Sequence, residues 1–207
     1  MTNDLSSLNT LHFDVLCEIG NIGSGNAVTA LSALVNKPVS MTVPVVKLLE
    51  FKEYSSILGN PEDIVVGILV SLSGDVNGIM MFMLRPQSAR TLINHLMGLC
   101  GSSGNDTAFS ELDLSAIQEI GNILCSSYIN ALAALIGKTI KPSPPMLAQD
   151  MAAAILSVPA IEFGKIADRV LFIDSVFRVG TENASGYFLL VPDLPSFNLI
   201  LSSLGVM

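Results

Sequence analysis

Two pairs of side chains in this sequence are equipped for chemistry: Glu18 with Asn21, and Glu119 with Asn122. In each pair the amide follows the carboxylate by three residues, a spacing that puts both on one face of a helix. An amide side chain carries a donor and an acceptor, so it can hold a water in line with a phosphorus atom. A carboxylate beside it can pair with a cation on a partner and fix the alignment. Phosphoryl transfer depends on positioning and charge stabilisation more than on covalent help, and amide side chains can orient the attacking water. Neither group does much alone, so such a pair suits the completion of a site that another macromolecule supplies.

Other chemistries find less support. The two histidines, His12 and His95, do not accompany the pairs, which argues against ordinary metal ligation and leaves them as surface or packing residues. No Ser/His/Asp or Cys/His set falls at a recognisable spacing, and no glycine-rich loop runs into a lysine that could cradle a nucleotide. The three cysteines, Cys17, Cys100 and Cys125, are odd in number and form no CxxC, so they read as buried thiols rather than a disulfide framework.

The pairs belong to an internal repeat. Asp14, Glu18, Asn21 and Pro44 recur as Ser115, Glu119, Asn122 and Pro145, each displaced by 101 residues, and Glu18-Ile19-Gly20-Asn21-Ile22 returns unchanged from Glu119 to Ile123. If Glu, Asn and Pro each fill roughly 5% of positions, three matches at one offset arise about once in ten thousand trials, and about one time in a hundred over all offsets. Leu31/Leu132, Ala33/Ala134, Leu34/Leu135 and Lys37/Lys138 strengthen the match, whereas Cys17/Gln118, Ser24/Cys125 and Asn26/Ser127 drift. Positions 14, 18, 21 and 25 fall within about 60° of one another around a helix, as do 115, 119, 122 and 126. These polar stripes lie away from most apolar residues and are expected to face solvent. Gly20, Gly23, Gly25 and Gly121 each cost a helix about 1 kcal/mol relative to alanine. Either close packing against a sheet or close approach by another macromolecule would account for them.

The elements that hold the stripes can be read from periodicity. Helical spacing runs from about Leu8 to Val35, stopped by Pro38, and again from about Glu111 to Ile136, with Ser110 as the N-cap candidate, Asp113 three residues on as a weak variant of the capping box, and Gly137 at the C-terminal end. Val39–Phe51, Ile64–Leu72, Gly78–Leu84, Val170–Val179 and Tyr187–Val191 read as strands, two of the connections being hairpins. Short helices follow at Gln87–Met97 and Ser196–Leu204. The expected fold is α+β: two helix-strands-helix repeats sharing one antiparallel sheet, with two long pseudo-symmetric helices. The chain of 207 residues is expected to form a single domain of two repeats, about 8–99 and 109–207, joined by the Gly/Ser stretch 100–106.

A net charge of −8 with ten Lys and Arg argues against nucleic acid as a partner. The start of the chain lacks the basic and apolar regions of a signal peptide, and runs such as Ile64–Leu72 are too short for a membrane span. A cytoplasmic location is the expectation.

At the repeated residues the sequence resembles the CheC/CheX/FliY family of chemotaxis phosphatases. The family pattern, Asp or Ser, three residues, Glu, two residues, Asn, twenty-two residues, Pro, is matched in full by both copies. The resemblance implies hydrolysis of the aspartyl phosphate on CheY, with Asn21 and Asn122 orienting the water and Glu18 and Glu119 engaging a lysine of CheY. Asp14, Ser115, Pro44 and Pro145 would be supporting residues. The chain would need no cofactor of its own, the magnesium belonging to CheY. The family also implies binding to the deamidase CheD. Met146–Ser157 reads as a short Ala-rich helix without a counterpart in the first half, and Gln149, Asp150 and Met151 are its candidate CheD contacts, with a plain packing helix as the other reading. Two sites in one chain remove an obvious need for dimerisation, so a monomer is expected. The competing function is a non-catalytic module, either an adaptor that sequesters CheD or a FliM-like flagellar-switch component.

Overall fold

The computed structural model describes residues 10–42, 45–50, 60–99, 108–163, 169–179 and 182–205. Helix α1 (Thr10–Val35) and helix α3 (Glu111–Ile136) are each 26 residues long, and their first residues are separated by the displacement that relates the two motifs. Among the described residues, α1 is followed by β1 (Val39–Met41), β2 (Val45–Glu50), β3 (Ile64–Gly74), β4 (Gly78–Leu84) and α2 (Pro86–Leu96). After α3 come β5 (Ile140–Pro142), β6 (Met146–Met151), α4 (Ala152–Phe163), β7 (Arg169–Val179), β8 (Glu182–Pro192) and α5 (Leu194–Ser203).

The eight strands among the described residues form one antiparallel sheet, ordered β1-β7-β8-β4-β3-β5, with β2 also pairing β7 and β6 also pairing β3. The α+β class and the shared antiparallel sheet are as expected. The order adds something further: each half lends its first two strands to the other half's hairpin. Val45–Glu50 lies against Asp174–Arg169, and Met146–Met151 lies against Leu69–Ile64. The seam between the halves is β4 against β8, where Phe82 faces Phe188. Their rings stack with centroids 4.5 Å apart, and Phe177 meets Phe82 edge-on at 6.0 Å.

One face of the sheet carries α1, α2, α3 and α5, packed over Val66, Ile68, Val70, Phe82, Ile173, Phe177 and Phe188. On the other face Ala152, Ile155 and Leu156 of α4 join Val65, Leu69, Met81 and Met83 in a smaller cluster. By length and composition α3 could cross a bilayer. Its apolar residues Ile117, Ile120, Leu124, Leu132 and Ile136 are instead buried in the larger core.

Three expectations need correction. Val39–Phe51 is not one strand: β1 and β2 are separate, and Phe51 lies outside the described residues. The second copy shows the cause, because Ser143-Pro144-Pro145 separates β5 from β6 and two successive prolines offer no N–H to a ladder. Met146–Met151 is strand rather than helix, and it has a counterpart in β2. Helix α4 begins only at Ala152. Finally, β8 starts at Glu182, so residues expected in the turn are paired, Glu182 with Val179 and Asn183 with Arg178.

Candidate functional site

The ends of α3 explain why its stripe is held firmly. Ser110 Oγ accepts from the Asp113 N–H at 3.2 Å, and the Asp113 carboxylate accepts from the Ser110 N–H at 2.9 Å. Arg90 of α2 lies 3.1 Å from the same carboxylate and also donates to the Ala108 carbonyl at 2.6 Å. Burial alone would raise the Asp113 pKa, but the Ser110 hydrogen bonds and the Arg90 charge outweigh it and hold the carboxyl below its ordinary value. At the other end Gly137 takes a left-handed conformation, φ 64°, and its N–H reaches the Ala133 carbonyl.

Between these caps Ser115 and Glu119 are exposed, and Asn122 and Ser126 are half-buried. Ser115 Oγ donates to the Glu111 carbonyl at 3.0 Å. On α1, Glu18, Asn21 and Gly25 are exposed, whereas Ile19, Ser24, Ala27 and Leu31 turn inward. Asp14 occupies the same helix face by its backbone position, and Pro44 lies outside the described residues. The two motifs are therefore brought together in one layer, on neighbouring helices that pack against each other.

The glycines divide between two uses. A Cβ on Gly23 would land in the ring of Tyr128 on α3, and one on Gly121 would meet Ile68 Cγ1 of β3 at 2.7 Å. Those two are packing glycines. Gly25, on the exposed stripe, has open space where its Cβ would be.

Beneath the first stripe runs a chain of buried hydroxyls. Ser24 Oγ donates to the Gly20 carbonyl at 2.5 Å and lies 2.8 Å from Tyr128 Oη, which in turn lies 3.5 Å from Ser175 Oγ of β7. Burial pushes the Tyr128 phenol up, against a smaller opposing effect of the Ser175 and Ser24 hydrogen bonds, so it stays a neutral hydroxyl. The repeat places Cys125 where α1 has Ser24; burial pushes that thiol up to about 12, and it has no role as a thiolate nucleophile. Cys17 is a free, half-buried thiol, and Cys100 lies outside the described residues.

One residue that sequence comparison discounted proves structural. Gln118, which stands where α1 has Cys17, donates from Nε2 to the Pro145 carbonyl at 2.7 Å. This bond ties the motif proline to the flank of the α3 stripe. An amide in reach of a downstream loop was the available signal, and comparing the copies for identity hid it.

The remaining predicted residues lie elsewhere. Gln149, Asp150 and Met151 are exposed on β6, opposite Val66, Val65 and Ile64, and Asp150 Oδ1 accepts from the Met151 N–H at 2.7 Å. Gln149 lines a cavity of about 390 Å³ with Asp63, Arg85 and Gln87. His95 is a packing residue, with Nε2 3.1 Å from the Glu182 carboxylate and Nδ1 3.5 Å from Lys37 Nζ. The side chain of His12 is outside the described set.

A model of the CheC-like family matches residues 11–48 and 112–147, the segments that carry the two stripes. Over 194 residues the chain is 32% identical to the CheY-P phosphatase CheC of Bacillus subtilis (strain 168), covering 93% of each protein. The chain belongs to the CheC-like family. Among solved structures, FliY of Thermotoga maritima superimposes with a TM-score of 0.77 at 22% identity, over 96% of this chain and 98% of that one. A chain of the CheX-CheY-BeF3-Mg2+ complex of Borrelia burgdorferi superimposes with a TM-score of 0.54 at 16% identity, over 84% of this chain and 96% of that one. At those identities the two structures establish the fold of a CheC-like chain rather than its activity.

Proposed function

We propose that this chain is a phosphatase acting on phosphorylated CheY, and that Asn21 and Asn122 each orient the water that attacks the aspartyl phosphate. The observation that carries this reading is that Glu18, Asn21 and Glu119 are exposed, with Asn122 half-buried beside Glu119, in a chain 32% identical to a CheY-P phosphatase. Each pair stands on a helix whose opposite side is fixed in the core, so the pair can be offered to a partner at little entropic cost. Glu18 and Glu119 would meet a lysine in the CheY site, and the magnesium would come with CheY. The amide adds a contact made to the water only as it attacks, which lowers the barrier without tightening ground-state binding. Asp14, Ser115, Pro44 and Pro145 support the pairs; for Pro145, the Gln118 hydrogen bond supports that reading.

The two repeats, about 8–99 and 109–207, make one cooperative unit in this view, acting as a monomer in the cytoplasm. CheD is a second partner, and the exposed strand residues Gln149, Asp150 and Met151 beside α4 are the surface assigned to it. Asp150→Lys is expected to abolish CheD binding in a pull-down while leaving the thermal midpoint unchanged; retained binding would remove that surface from the account.

The main test is dephosphorylation of CheY-phosphate by wild type, Asn21→Ala, Asn122→Ala and the double variant. Removing one transition-state hydrogen bond is commonly worth about 10²–10³ in rate. Each single variant should keep the turnover of its intact site, and the double variant should fall to the spontaneous rate of CheY. Full activity in a folded double variant would overturn the mechanism, and inactivity of wild type would favour the non-catalytic adaptor.

A further inference from the structure

The α3 stripe does not begin at Ser115. Leu112, three residues earlier, lies on the same face: positions 112, 115, 119, 122 and 126 fall within an arc of about 80°. It is 68% exposed, although it belongs to a helix whose other leucines largely serve the core. A lone exposed leucine needs no explanation in general. This one has two distinguishing features.

First, it is repeated. The residue 101 positions earlier is Leu11, while the flanking pairs Thr10/Glu111, His12/Asp113 and Phe13/Leu114 all differ. A repeat kept for burial would not leave its side chain in solvent. Second, local helix structure does not use it. With Ser110 as N-cap, the apolar staple across the first turn would join Phe109 to Leu114, and Leu112 falls between them on the outer side. The Leu112 side chain thus serves neither the cap nor the core.

We propose that Leu112 is an apolar anchor that seats the phosphorylated receiver on the α3 stripe. The inference rests on the phosphatase reading above and deepens it. At 1.5 Å per residue Leu112 stands roughly 15 Å along the helix from Asn122, too far to touch a reacting phosphoryl group. Its contribution is therefore to binding. The anchor packs on an apolar patch of the receiver beside the phosphorylation pocket, while Glu119 and Asn122 enter the pocket. Removing most of the side chain should weaken association about tenfold.

The two copies supply their own control. In the Asn21→Ala background only the α3 site turns over, and Leu112→Ala should raise KM for CheY-phosphate about tenfold with kcat retained. In the Asn122→Ala background the same substitution should change nothing. Leu112→Met should restore KM. Binding of CheY loaded with beryllofluoride and magnesium, followed by titration calorimetry in the same backgrounds, gives a readout independent of turnover. An unchanged KM in the Asn21→Ala background, an equal rise of KM in both backgrounds, or an affinity for the loaded receiver that Leu112→Ala leaves unchanged overturns the anchor while leaving the phosphatase reading intact. If wild type binds the loaded receiver but never hydrolyses its phosphate, the phosphatase reading falls and the anchor is judged on affinity alone. If wild type does not bind it, both fall.

Discussion

The two stripes carry the same Glu and Asn at the same spacing, yet what lies under them differs. The α1 stripe rests on a partner from across the repeat: Gly23 admits the ring of Tyr128, and Ser24 joins its hydroxyl. At the matching positions α3 has Leu124 and Cys125, both fully buried, and the residue matching Tyr128 is Ala27. The α3 stripe is braced instead from outside, by the Ser110–Asp113 capping box, by Arg90, and by the Gln118 bond to Pro145. The two helices share the Glu and Asn of the stripes, whereas the residues packed beneath them differ.

The largest test of this contrast is Gly23→Ala. The methyl would collide with the Tyr128 ring, and overpacking of this kind costs typically 1–3 kcal/mol, more than the roughly 1 kcal/mol that alanine gains in helix propensity. A lowered denaturation midpoint at unchanged m-value is expected. A more stable protein would show that α1 does not depend on that contact.

A smaller effect is expected at Asp113. Its carboxyl is held below the ordinary 3.8, so its contribution is complete above the unfolded value and is lost as the pH falls through the lower folded value. Asp113→Asn should therefore lower stability at neutral pH by about 1 kcal/mol, the usual worth of a cap, and by progressively less under acid. A deficit that persists undiminished at the acid end would mean the charge is irrelevant.

The smallest effect on stability, and the sharpest on the comparison, belongs to Gln118→Ala. The bond it removes is exposed to solvent and worth about 0.5 kcal/mol. Turnover by the α3 site, measured in the Asn21→Ala background, should fall several-fold, and turnover by the α1 site in the Asn122→Ala background should stay the same. Equal losses in both would show that the bond serves the fold rather than one stripe.

Where a feature is encoded by neighbours, it was legible in the sequence. Ser110, Asp113 and Gly137 mark the ends of α3 because caps act within a turn of the helix. The outward stripe followed from the 100° advance alone. Strand exchange was not legible, because it rests on pairings such as Val45 with Asp174, and nothing in either strand names its distant partner. Strand β6 was misread for a different reason. Four of its last five residues are exposed, so it lacks the alternation of a half-buried strand, and Ala152-Ala153-Ala154 just beyond it suggests helix. Gln118 was passed over because a repeat draws attention to what it keeps.

The exchanged strands also govern how the protein can be made. As the chain leaves the ribosome, β1 and β2 emerge long before β7, the strand that receives them. Until β7 arrives, the N-terminal half holds two strands with no acceptor and a hairpin with an open edge. Biosynthesis of the first repeat therefore cannot finish on its own schedule: its last backbone hydrogen bonds wait for translation of the second.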